Sequence, residues 1–156
     1  MKLTSNARFV GIATVLLVAA CRDPLGAPLS SWTPDAASIL LLNDFSGIEA
    51  PKQEAIVDSS AWSSALQKIS DLPTSIPTVD FRTHTVLLAA MGAQPTSAFS
   101  VRIDRVELHE HGAAVYVTER YGCDGYTVVI TPLHAVAAPF RFAVWDWRTT
   151  RHREQC

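Results

Sequence analysis

Between residues 99 and 108 apolar and polar side chains alternate, but the alternation slips half-way: Phe99, Val101 and Ile103 share one phase, Val106 and Leu108 the other. Strict alternation is the mark of a half-buried strand, and a strand that kept its register would turn Val106 and Leu108 to the wrong face. The slip therefore predicts a bulge near Asp104 and Arg105. Residues 110–112, Glu-His-Gly, read as a turn, and residues 113–120 as the returning hairpin partner. A chain built on this hairpin is committed to an antiparallel sheet.

Other strands are read around it. Residues 39–42 and 55–58 are short apolar runs, and residues 85–91, TVLLAAM, form a run apolar enough for a strand buried on both faces. Residues 126–130, 134–137 and 140–147 supply three more, separated by Pro132 and Pro139. One helix interrupts them: Trp62, Ala65, Leu66 and Ile69 fall at helical spacing, with Ser59 or Ser60 as the N-cap and Pro73 and Pro77 beyond the end. The expected fold is one α+β domain over residues 37–156, a mostly antiparallel sheet, sandwich-like or partly closed, with one short amphipathic helix.

The first residues, MKLTSNARFVGIATVLLVAAC, read as an export signal. Lys2 and Arg8 form the positive start, residues 9–18 the apolar stretch, and Val18-Ala19-Ala20 the small-residue cleavage site. The apolar stretch is half of the roughly 20 residues a spanning helix needs. The string VAAC resembles the bacterial lipobox, which implies a signal peptide over residues 1–20, acylation of Cys21, palmitate among the chains, and a membrane-anchored lipoprotein of the cell envelope. Residues 21–36, with Pro24, Pro28 and Pro34, read as an extended tether. Two thiols then remain for an oxidising compartment, and Cys123 and Cys156 are expected to pair. The bridge would close a loop of about 34 residues, worth about 3–4 kcal/mol in the chain-entropy model.

The order of several short motifs resembles the C-terminal domain of the protease complex subunit PrcB: Ser46-Gly47-Ile48, Ala61-Trp62, Val79-Asp80-Phe81, an apolar strand, Gly92 with Pro95-Thr96, an alternating strand, Cys123, Thr131-Pro132 and a final strand with a terminal cysteine. That resemblance implies a non-catalytic, anchored subunit that binds or stabilises a partner protein, in the named case a protease. It also singles out the turn Gln94, Pro95, Thr96, Ser97 and Ala98 as a partner-binding loop. The family usually continues PT with a Gly-rich turn, PTGGY, where this chain has Ser97 and Ala98. The same turn is similar, through Pro95-Thr96 and Phe99 alone, to the loop that chagasin-type inhibitors present to cysteine peptidases, and inhibition is the narrower form of the binding hypothesis.

The alternative is a small metal-dependent enzyme. His109 and His111 stand at i, i+2, which on a strand places both on one face, and His134 or Glu119 could complete a site. The string HEH lacks the second His of the zinc-peptidase helix, no G-x-S-x-G elbow or Gly-rich phosphate loop occurs, and Asp80 reads as a turn residue rather than a base. No cofactor or small-molecule substrate is inferred. Nucleic acid is a poor partner: the formal charge is −2, and without Lys2 and Arg8 eleven bases face fifteen acids. Trp145 and Trp147 share a face of the expected last strand, either covering the helix or forming an exposed aromatic patch.

Overall fold

A computed structural model describes residues 23–155. Two four-stranded sheets face each other. The first has the order β1-β5-β6-β8, the second β2-β7-β4-β3, with β1 Ser30–Trp32, β2 Ile39–Asn43, β3 Lys52–Ile56, β4 Thr85–Ala90, β5 Phe99–His109, β6 Gly112–Tyr121, β7 Leu133–Ala138 and β8 Trp145–Arg153. Every neighbour pair is antiparallel except β6 and β8, which run parallel because the chain crosses through β7 of the other sheet between them.

The slip in the β5 pattern is a real register shift between Ile103 and Arg105. It keeps Val101, Ile103 and Val106 all pointing inward, where they meet Val115 and Val117 of β6 and Leu87, Ala89 and Val136 of the second sheet. The opposite face of that second sheet carries Val86, Leu88, Leu133 and Ala135, and these are covered by α1, Ser59–Leu66, through Trp62 and by Ile69 just beyond it. β4, at the junction of both cores, is buried along its whole length. The result is three layers, helix on sheet on sheet.

Four expectations are corrected. The N-cap is Asp58, not Ser59 or Ser60: its carboxylate accepts from Ala61 N at 2.8 Å and from Ser60 Oγ at 2.7 Å. Residues 126–130 form no strand, only a single bridge between Ile130 and Gln94. The last strand begins at Trp145 and runs on through Arg153; Phe140 and Phe142 precede it in a loop, so the face assigned by alternation from residue 140 does not apply. Finally, residues 23–36 are not a free tether. Ser30–Trp32 pairs with β5, and Leu25 is buried against Gly112.

Candidate partner-binding surface

The turn at residues 94–98 joins β4 to β5 and is laced to the segment 122–130. Gln94 and Ile130 exchange backbone bonds at 2.7 and 3.0 Å, Ser97 N donates to Tyr126 O at 3.1 Å, and Tyr126 N donates to Ser97 Oγ at 2.9 Å. Gln94 Nε2 reaches back to Met91 O at 3.1 Å. Neither Ser97 nor Ala98 adopts positive φ, so the turn carries no left-handed backbone strain at these two positions. Gly125 supplies the room instead: a Cβ there would lie 2.5 Å from Ala98 N. The loop is thus a rigid corner whose Ser97 hydroxyl is spent internally, while Pro95 and Ser97 remain exposed.

On one side of this corner apolar side chains are exposed, while the other side, past Ala98, is lined by Ser100, Arg120, Asp124 and Glu154. Tyr126 is 85% exposed, Val129 67% and Val128 39%, all on the segment that the corner holds. At the same end of the sandwich, Phe45 bridges Thr131, and Leu42, Phe45 and Leu72 line a groove of about 580 Å³ along the outer edge of β2. Asn43 Nδ2 closes one wall by donating to Ser70 O and Asp71 O at 3.2 and 3.0 Å. Burying apolar area of this kind is what protein partners gain from. Sequence reasoning did not single out Leu42, Phe45, Tyr126 or Val129, because each sits in a run read as a strand or its flank; their flanking Asn43, Asp44 and Gly125 were the available hint of a surface turn.

Trp145 and Trp147 form no exposed patch, nor do they cover the helix. Both are partly buried between the sheets, where Trp145 stacks on Phe140 at 6.1 Å and meets Phe142 edge-on at 5.9 Å. The histidine pair dissolves as well. His109 ends β5 and is buried, its Nδ1–H donating to Gly26 O at 2.9 Å, whereas His111 lies exposed in the turn. Glu119 accepts from Tyr121 OH at 2.7 Å and from Arg151 Nε at 2.9 Å. His134 is elsewhere in the core, with Nδ1 accepting from Ile103 N at 2.9 Å. Burial, reinforced by Arg102 and opposed by Asp104, pushes its pKa down from 6.5 to about 4. Among the described residues no group of three or more His, Cys, Asp or Glu is placed to hold a metal ion.

Asp80 is a turn residue. Its carboxylate accepts from Arg82 N at 3.1 Å and Arg82 Nε at 3.0 Å, and the guanidinium bond holds its carboxyl below the usual range, which leaves it a poor base even though it lines a groove of about 400 Å³ with His84 and Trp32. Cys123 is disulfide-bonded, and Glu154, two residues before the C-terminal cysteine, lies against it: Cys123 N donates to Glu154 Oε2 at 3.4 Å. Its expected partner Cys156, and Cys21 and residues 1–20, where acylation and a signal peptide are expected, lie outside the described residues. No described helix is long and apolar enough to cross a membrane.

No protein-family model, no curated protein and no solved structure matches this chain. The likeness to the PrcB C-terminal domain therefore rests on its motifs alone.

Proposed function

We propose that this protein is an envelope lipoprotein, acylated at Cys21, that acts by binding a partner protein through the loop end of its sandwich. The observation that carries the reading is the gathering of Tyr126, Val128, Val129, Phe45, Leu42 and Leu72 at one end, beside a corner held rigid by paired backbone bonds. A solvated loop needs no such apolar set, and a rigid base lowers the ordering cost of docking. The PrcB-like order of motifs makes an exported protease the first partner to test, with Gln94 to Ala98 as part of the contact.

Two variants separate the halves of the proposal. Cys21→Ser is expected to release the protein from the membrane fraction, since no second anchor is invoked. Retention of that variant in the membrane would overturn the lipid assignment. Tyr126→Ser with Val129→Ser is expected to leave the melting temperature nearly unchanged, both side chains being exposed, and to lower affinity for a purified protease partner by tenfold or more. Unchanged affinity would remove this end from the binding surface.

A further inference from the structure

The segment after Cys21 is stapled to the domain at successive points. Asp23 Oδ2 accepts from Arg148 Nη2 at 2.6 Å, and the same guanidinium is fixed by Asp146 Oδ2 at 2.8 Å and Tyr116 OH at 3.0 Å. Asp23 also closes a turn, its Oδ1 accepting from Leu25 N at 3.1 Å and its carbonyl from Gly26 N at 2.9 Å. Leu25 is 5% exposed and lies over Gly112, Gly26 O receives His109 Nδ1–H, and Leu29 N donates to Leu108 O at 2.7 Å before β1 begins. Only Arg22 stands between Cys21 and Asp23, so their Cα atoms are at most about 7 Å apart at ~3.3–3.6 Å per residue.

From this we propose that the acylated protein has no flexible tether: it stands on the bilayer by the β5–β6 turn end, Leu25 to Leu29 with His109 to Gly112, and holds the Gln94 to Ala98 end away from the membrane. The inference rests on the lipoprotein reading above. Leu29 and Val144 are exposed at this end, Leu29 through its bond to Leu108 and Val144 beside Gly112, and they give the lipid interface apolar side chains to receive. β5 runs from one end to the other in 11 residues, which at about 3.3 Å per residue separates the two ends by roughly 30 Å or more. The partner surface is thereby set at a fixed height, instead of being swept through the volume a loose tether would permit.

The test uses the full chain purified with its acyl groups, held in phosphatidylethanolamine–phosphatidylglycerol vesicles that contain a headgroup spin-labelled lipid. A fluorophore is attached under non-reducing conditions to His111→Cys or to Thr127→Cys, both exposed positions at opposite ends. Quenching at position 111 is expected to exceed that at 127 several-fold. Inserting about ten Gly and Ser residues after Arg22, which leaves the fold untouched and adds a coil of roughly 18 Å, should bring the two towards equality, and Arg148→Ala should move them the same way. Equal quenching in the uninserted protein, with acyl chains confirmed by mass spectrometry, overturns the fixed stance while leaving the lipoprotein reading intact. A wild-type chain that mass spectrometry shows to carry no acyl groups removes both.

Discussion

His134 repairs the fault that the β5 bulge opens. Where register slips between Ile103 and Arg105, the Ile103 amide donates instead to His134 Nδ1, which requires the neutral imidazole. A proton that the unfolded chain accepts near pH 6.5 is refused by the folded one until about pH 4. The unfolded state therefore binds more protons in that window, and stability, fully present above pH 6.5, falls as pH drops towards 4 by about 3 kcal/mol. His134→Gln, which keeps an acceptor but does not titrate, should flatten the slope of urea-unfolding free energy between pH 6.5 and 4; an unchanged slope would assign it to other groups. Gly92 is a second constrained position: φ is +76°, and a Cβ would lie 2.7 Å from Glu49 O. Gly92→Ala should cost about 1–3 kcal/mol by the same measurement. At Cys123, alkylation with and without reductant followed by intact mass should show two new thiols on reduction, with a stability loss of about 3–4 kcal/mol; two thiols free beforehand would refute the pairing with Cys156.

β8 is the element whose two faces differ most. Trp145 and Trp147 lie in the core between the sheets, while Thr150 points outward beside Thr118 of β6. Trp147→Ala should therefore cost about 2–4 kcal/mol and Thr150→Ala less than about 0.5 kcal/mol in chemical unfolding. Equal losses would mean that the strand is not held by its inner face. This strand also marks where reading the sequence fails. The β5 bulge, the doubly buried β4 and the helix are legible because burial imposes a period on their apolar residues. Residues 148–153, RTTRHR, carry no such period, since an edge strand needs core contacts along only part of its length; its inner Arg151 meets Glu119 rather than apolar side chains. β1 is invisible for a similar reason: it is three residues in a proline-rich stretch, and only Trp32 among them packs on the core, so no period shows. The candidate site was half legible. Pro95 and Thr96 marked the corner, but the apolar residues around it looked like strand interior, and only the tertiary fold decides which Val or Phe is left outside.

At the scale of the molecule, the sandwich divides its labour between two ends. One end receives the segment that follows Cys21 and ties it down through Asp23, Leu25 and Gly26. The other presents Tyr126, Val129 and Phe45 over a rigid corner. Between them the two sheets share one core, built from β4, β5, β6 and β7 side chains. The central claim is that this loop end meets a partner protein in the envelope. Its most direct measurement is photo-crosslinking in intact cells, with a photoreactive amino acid at Tyr126 in one strain and at the outward, charge-flanked Thr150 in another. A discrete higher-mass adduct from position 126, absent from position 150 and absent without illumination, is the result this account predicts. Adducts of equal yield from both positions, or none from 126 while 150 gives one, would contradict it.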